Sequence, residues 1–139
     1  MYYLKTSAAF DSAHFLKGYD GKCSNIHGHH WVIEVMVSGE HLQSDGVESG
    51  MLMDFGDMKK IVRELADSMD HGLIYEENSL KPHTVEVLRE EGFLLLPVGF
   101  RPTAENFARH FFDILSGKGL RVVSVTVYET PDNCAVCEV

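Results

Sequence analysis

The sequence feature that most restricts the fold is a pair of histidines, His27 and His29, that leads directly into the apolar run 31–37. The β-branched and aromatic residues of this run predict a strand. Because side chains alternate along a strand, both histidines share one face with Trp31. That face is otherwise apolar, so the fold must place two imidazoles at the end of a buried sheet face.

A third histidine, His14, ends a second predicted strand, residues 2–14, and shares a face with Phe10 and Ser12. Neutral imidazoles on one face are good zinc ligands, and a catalytic zinc takes three protein ligands and keeps one position open. The alternative is a set of half-buried histidines held only by hydrogen bonds. The His-x-His pair alone leaves both interpretations open.

Composition limits the function classes. The 139 residues with 45% hydrophobic content predict one globular domain, residues 1–139. No apolar run approaches the roughly 20 residues of a membrane span, and the N-terminus lacks the regions of a secretory signal. The net charge of −9 argues against nucleic-acid binding, and the odd number of cysteines predicts a reducing, cytoplasmic location.

Four further predictions concern the strands. The second strand begins at Cys23 and fades at residues 38–40, and residues 51–53 form a short return strand, so the first strands make an antiparallel pair. The last strand covers residues 120–129 and ends at Glu129. One more strand has a place in the first hairpin or near the C-terminus.

Apolar residues with helical spacing predict two main helices. The first runs from Met58 to Met69, is capped by Asp54 or Asp57, and stops where Gly72 suits a left-handed residue.

The second main helix starts at residues 102–105, with Thr103 as its N-cap. Between the two helices, residues 84–91 have the pattern of two helical turns closed by Gly92, and residues 93–96 of an extended piece. The predicted fold is an α+β domain, a four-stranded antiparallel sheet with two helices on one face.

Polar residues at the ends of these elements are candidates for chemistry. Cys23 is a thiol that can be deprotonated or an inert buried cysteine. Asp70 and His71 form a proton-transfer pair or simply close a helix, and as neighbours they are expected to act in parallel rather than bond each other. Glu129, near Thr103 and Glu105 in the predicted fold, is a ring-binding carboxylate or a solvated strand end.

The chain resembles the 6-pyruvoyltetrahydropterin synthase family, and within it the bacterial and archaeal branch of 6-carboxytetrahydropterin synthases. The motifs that carry the resemblance follow one another along almost the whole chain: residues 10–14 (FDSAH), 23–29 (CSNIHGH), 53–55 (MDF), 65–71 (LADSMDH), 102–106 (PTAEN) and 128–131 (YETP).

The resemblance implies roles for these residues. His14, His27 and His29 match the zinc-binding histidines. Cys23 matches the catalytic cysteine, and Asp70 with His71 the pair that works with it. Glu129 matches the carboxylate that anchors the amino-pyrimidinone edge of the pterin, and Thr103 with Glu105 the neighbouring patch. The triphosphate of the implied substrate needs cations. Lys17 and Lys22, which lie close in sequence to the zinc and thiol residues, are the candidates, with Arg101 a weaker one.

The implied architecture is the tunnelling fold, in which subunits join their sheets into a barrel. The family is usually a hexamer of two trimers with each site shared between subunits. The implied activity is a zinc-dependent lyase that converts 7,8-dihydroneopterin triphosphate to 6-carboxy-5,6,7,8-tetrahydropterin, with release of acetaldehyde and triphosphate, in queuosine and deazapurine biosynthesis.

Several alternatives stay open. The three residues between Cys23 and His27 are similar to the spacing of the queuosine-pathway enzymes, but a triphosphate-eliminating pyruvoyl synthase or a dihydroneopterin aldolase-like enzyme would use a similar site. A non-enzymatic pterin- or purine-binding module and a structural zinc protein come from other classes. Residues 76–101 are longer than expected for this branch, and Cys134 and Cys137 supply only two zinc ligands and have no assigned role.

Overall fold

The computed structural model describes all residues from 1 to 139 and has an α+β architecture. The elements in chain order are β1 (Tyr2–His14), β2 (His27–Gly39), α1 (Phe55–Asp67), β3 (Leu73–Glu76), α2 (Pro82–Glu90), β4 (Leu95–Val98), α3 (Ala104–Gly117), β5 (Val122–Thr130) and β6 (Asn133–Glu138). A single 3-10 turn, Lys22–Ser24, precedes β2. No helix has the length and apolar character needed to cross a membrane.

The six strands form one mixed sheet in the order β4-β3-β1-β2-β5-β6. The antiparallel pairing of β1 with β2 is confirmed, and β2, β5 and β6 continue it. The strands β3 and β4 lie parallel to β1. The predicted count of four strands is wrong. Residues 51–53 form no strand, whereas the extended piece predicted at 93–96 overlaps β4. The strand β3 has four residues, too few to show an alternating pattern.

The main core lies between the sheet and the helices α1 and α3. Phe10 stacks on Trp31 at a ring-centroid distance of 6.0 Å and meets Phe111 edge-on at 6.2 Å. Each of the larger strands contributes alternate residues to this core, and each helix contributes its apolar stripe. The fully buried members include Phe10, Trp31, Ile33, Val35, Met58, Val62, Phe107, Phe111, Leu115 and Val125.

The third helix, α2, lies on the opposite face of the β3–β4 part of the sheet. Ile74 belongs to the main core, whereas its neighbour Tyr75 packs with Leu95 and Phe15 in a second cluster that α2 covers. The predicted helical turns at 84–91 are therefore real, and the prediction of two helices on one face omits a third helix on the other.

Both predicted caps are confirmed. The Asp54 carboxylate accepts hydrogen bonds from the backbone N–H groups of Gly56 at 2.7 Å and Asp57 at 3.2 Å. The Thr103 hydroxyl accepts one from the Asn106 N–H at 3.2 Å. The predicted left-handed stop at Gly72 is wrong, because His71 takes that conformation with φ 57°.

Candidate metal centre and active site

The register of β1 against β2 brings the three histidines together. His14 lies directly opposite His27, and Ser12 lies opposite His29, so alternation puts all three imidazoles on the face that continues the main core. The Nε2 atoms of His14 and His27 are 3.1 Å apart, and the candidate ligand atoms of the three residues lie within 4.8 Å of one another. The predicted ligands are therefore in place for one ion.

Hydrogen bonds on the far side of two rings determine which nitrogens face the centre. His14 Nδ1 donates to the Pro102 carbonyl at 2.7 Å, and His27 Nδ1 donates to the Asn25 carbonyl at 2.6 Å. A carbonyl only accepts, so the neutral forms of both rings present lone pairs at Nε2. Two lone pairs 3.1 Å apart repel each other, and a shared cation removes that repulsion. Carbonyl partners of this kind orient metal-binding histidines.

A buried ring nitrogen and a carboxylate oxygen also converge on the same point. The Nε2 atom of His29 is buried without a hydrogen-bond partner. One carboxylate oxygen of Glu129, Oε1, lies 3.5 Å from His29 Nε2 and 3.6 Å from His14 Nε2. The cluster therefore carries a net negative charge and holds nitrogen and oxygen donors, a set that fits Zn²⁺ among the divalent transition metals.

The environment keeps the buried imidazoles neutral. Burial lowers the pKa of His14 to about 4, reinforced by charge repulsion from His27 and His29 and opposed by the hydrogen bond to Pro102. Burial also lowers the pKa of His29, against the raising effect of Glu129. Neutral imidazole is the form that binds a metal, so the site is ready for a cation at neutral pH.

A cavity of about 380 Å³ opens beside the histidines. Its lining includes His14, Cys23, Glu129, Thr103 and Glu105. The structure thus brings together the predicted thiol, one metal ligand and all three residues of the predicted ring-binding patch. The Thr103 hydroxyl is engaged as a helix cap, so its hydrogen-bond capacity is already partly used.

The predicted triphosphate ligands do not all line this cavity. Lys17 and Lys22 belong to the segment between β1 and β2, and neither lines this cavity. Arg101 does line it, and its guanidinium donates to the Lys17 carbonyl at 3.1 Å. Lys17 and Lys22 as phosphate ligands stay a prediction, whereas Arg101 is the cationic side chain of the cavity wall.

The turn after α1 is hydrogen-bonded to β1 and contains the predicted catalytic pair, Asp70 and His71. Asp70 accepts from the Asp11 N–H at 2.9 Å, and the His71 N–H donates to the Asp11 carbonyl at 2.6 Å. Asp70 Oδ2 lies 2.8 Å from His71 Nδ1, so the expectation that the neighbours do not bond is wrong. The left-handed backbone of His71 turns the ring back toward the carboxylate. The Asp11 N–H and then the His71 ring lower the pKa of Asp70.

One chain does not bring His71 and Cys23 into the same cavity. His71 lines a separate cavity of about 320 Å³, with Ile26, Phe93 and Leu94 among its apolar wall residues. Those three apolar side chains are exposed. Phe93 and Leu94 of the long segment 76–101 therefore flank His71, whereas Arg101 at the end of that segment lines the cavity of Cys23. The predicted catalytic pair lies outside the cavity that His14 lines.

Sequence reasoning missed the groups that orient the site. The carbonyls of Asn25 and Pro102 fix two imidazoles, and the Asp11 backbone holds the Asp70–His71 turn. Asp11 also pairs with His30 at 2.7 Å. Backbone carbonyls carry no sequence signal, whereas Asp11 lies inside the motif 10–14 and His30 directly follows the motif 23–29, so both could have been singled out.

The known proteins to which the chain is similar agree with the resemblance that its motifs carry. The family model of 6-pyruvoyl tetrahydropterin synthase matches residues 3–139. The chain is 37% identical to the 6-carboxy-5,6,7,8-tetrahydropterin synthase of Haemophilus influenzae over 94% of each protein. It is 36% identical to the enzyme of that name from Aquifex aeolicus, over 78% of this chain and 71% of the relative. The 6-pyruvoyl tetrahydropterin synthase structure from Caenorhabditis elegans superimposes with a TM-score of 0.67 at 26% identity, covering 99% of this chain and 95% of that one.

The histidine centre predicts how metal affinity depends on its members. We expect His27→Ala to weaken Zn²⁺ binding at least about 100-fold, because it removes one of three nitrogen donors. Competition with a chromogenic chelator measures the affinity. His83→Ala, which removes an exposed histidine of α2, is the matched control and should bind Zn²⁺ like the wild type. Equal affinities for the two variants would show that the cluster does not hold the metal.

The buried His14 predicts a pH effect on the metal-free protein. The unfolded chain takes up a proton on this residue near pH 6.5, whereas the folded protein does so only near pH 4, so the free energy of unfolding falls as the pH falls between these values. Between pH 7 and pH 5 the expected loss from His14 is about 2 kcal/mol. Urea unfolding in the presence of a chelator measures it. In His14→Gln the pH-dependent loss should be smaller by that amount, and an unchanged loss would contradict the assignment.

Proposed function

Because the chain belongs to the 6-pyruvoyl tetrahydropterin synthase family, we propose that it is a zinc-dependent lyase acting on 7,8-dihydroneopterin triphosphate. The proposed products are 6-carboxy-5,6,7,8-tetrahydropterin, acetaldehyde and triphosphate, in queuosine and deazapurine biosynthesis. The observation that carries the proposal is the three-histidine centre, of which His14 lines the same cavity as Cys23. The name of the Haemophilus influenzae relative supports the choice of product.

Metal binding would fall to His14, His27 and His29. A zinc ion there supplies Lewis acidity, which lowers the pKa of substrate hydroxyl groups and favours oxyanions. The side chain of the substrate then lies beside Cys23, on the wall of the same cavity. As thiolate, Cys23 would take a proton from the side-chain carbon next to the ring.

Asp70 and His71 would relay protons from a neighbouring subunit. Their cavity is separate from that of Cys23, so a complete site requires two copies of the chain. We propose a homohexamer of two trimers in which the sheets join into a barrel. The free edges support it: β1 pairs with β3 only through Ala13 and His14, and β6 has a partner on one side only.

Charged side chains of the cavity suit the rest of the substrate. Carboxylates bind the adjacent N–H groups of an amino-pyrimidinone ring, and both Glu129 and Glu105 line the cavity. Thr103, the N-cap of α3, lines the same cavity and completes the patch. The triphosphate would take Lys17 and Lys22, which adjoin the cavity residues Leu16 and Cys23 in sequence, with Arg101 in the wall.

The second candidate is the pyruvoyl synthase, which eliminates triphosphate and keeps the three-carbon side chain. The description of the family and the likeness to the Caenorhabditis elegans structure favour it. An aldolase-like enzyme would release glycolaldehyde instead. A pterin-binding module without catalysis would bind the ring and need no thiol.

Product analysis tests the proposal. Zinc-loaded protein incubated with 7,8-dihydroneopterin triphosphate should yield carboxytetrahydropterin and acetaldehyde, detected by mass spectrometry. Cys23→Ala should lower the rate by at least about 100-fold, because a positioned acid–base group contributes that much. Cys137→Ala, which alters a half-buried thiol of β6, is the control and should retain activity. A product that retains the three-carbon side chain would identify a pyruvoyl synthase instead. Tight pterin binding without turnover would identify a binding module.

Subunit mixing tests the shared site. Cys23→Ala and His71→Ala chains should each be inactive alone, whereas hybrids from co-expression should recover part of the wild-type activity. The reason is that a mixed assembly contains sites in which one subunit supplies an intact Cys23 and its neighbour an intact His71. Hybrids as inactive as either parent would place both residues in one chain's site and contradict the arrangement.

A further inference from the structure

We propose that Glu129 is a fourth, displaceable ligand of the metal that His14, His27 and His29 hold. The carboxylate would close the coordination shell when no substrate is bound, and the substrate would take its place. This role differs from ring anchoring, which requires only that Glu129 face the pterin.

The distances around the centre carry the proposal. Zinc bonds to nitrogen and carboxylate oxygen are about 2.0–2.2 Å, so neighbouring ligand atoms of a tetrahedral site lie about 3.3–3.6 Å apart. Glu129 Oε1 lies 3.5 Å from His29 Nε2 and 3.6 Å from His14 Nε2. The separation of His14 Nε2 and His27 Nε2 is 3.1 Å. The carboxylate oxygen therefore has the separation from two histidines that a fourth ligand has.

The hydrogen-bonding capacities of His14 and Glu129 lead to the same conclusion. The Nε2 atom of His14 presents a lone pair because Nδ1 of that ring donates to Pro102. An ionised carboxylate has no proton to give, so this contact joins two acceptors. No lysine or arginine forms an ion pair with Glu129, and the Arg101 guanidinium in the same cavity donates to a backbone carbonyl. A divalent cation between the acceptors turns the unfavourable contact into coordination.

The position of Glu129 explains why its carboxylate is the ligand that a substrate would displace from the metal. Its side chain is about one-third exposed at the end of β5, whereas His14 is buried and its ring is held by a backbone carbonyl. The carboxylate is thus the ligand that moves most easily. Under the proposed function, on which this step rests, a substrate hydroxyl oxygen takes the vacated position and the released carboxylate accepts from the ring N–H groups.

Metal binding alone tests the ligand role. Glu129→Gln keeps the shape and removes the charge, and Zn²⁺ affinity from chelator competition should fall at least about tenfold. Glu129→Ala serves as the second variant. The visible spectrum of the Co²⁺-substituted protein should change in band position and intensity in both. Glu105→Gln is the matched control, because Glu105 lines the same cavity without contacting a histidine, and it should keep the wild-type affinity and spectrum.

The same spectrum tests displacement. Wild-type and Glu129→Gln Co²⁺ spectra should differ without ligand and coincide once 7,8-dihydroneopterin saturates both, because neither then has the carboxylate bound. Unchanged affinity and spectrum in the Glu129 variants would overturn the ligand role, and spectra that still differ with the pterin bound would overturn displacement. If the Glu129 variants change the metal affinity and the Co²⁺ spectrum but the wild-type protein does not turn over the substrate, the proposed function is wrong and the ligand role of Glu129 remains.

Discussion

The structure depends on the antiparallel register between β1 and β2. That register pairs Phe10 with Trp31 and His14 with His27, so one ladder of cross-strand pairs is both the centre of the core and the base of the metal site. A slip of one residue would send every side chain of a strand to the other face, which would disperse the histidines and the aromatic core together. Core packing therefore holds the imidazoles in place, and the buried aromatic cluster stabilises a group of acceptors that would otherwise repel one another.

The short turn after α1 couples this ladder to the second half of the proposed machinery. The buried Ser12 hydroxyl donates a hydrogen bond to the Met69 carbonyl. The Asp11 N–H donates to the Asp70 carboxylate, and the Asp11 carbonyl accepts from the His71 N–H. β1 thus carries the metal ligand His14 and, through the Asp11 backbone, holds the Asp70–His71 turn. His14 and His71 nevertheless line separate cavities of the chain. The site we propose therefore needs a second copy of the chain to complete it.

The sequence was informative where periodicity or a cap has a direct physical cause. The alternation in β1 and β2, the apolar stripes of α1 and α3, and the caps Asp54 and Thr103 follow from local chemistry, and the structure contains them. The strand β3 is too short for a pattern, and its place between β1 and β4 depends on long-range pairing. The left-handed His71 was missed because glycine is the usual residue there, and here hydrogen bonds from β1 hold the less favourable residue. The histidine cluster could be predicted as a set, whereas its carbonyl partners could not.

We propose a metal centre of three histidines, with oxygen completing the shell and none of the thiols bound. X-ray absorption spectroscopy of the zinc-loaded, substrate-free protein distinguishes these donors. We expect only nitrogen and oxygen neighbours at about 2.0–2.1 Å, with the outer-shell scattering that imidazole rings produce. A sulfur neighbour at about 2.3 Å would place Cys23, Cys134 or Cys137 on the metal and rule out this ligand set.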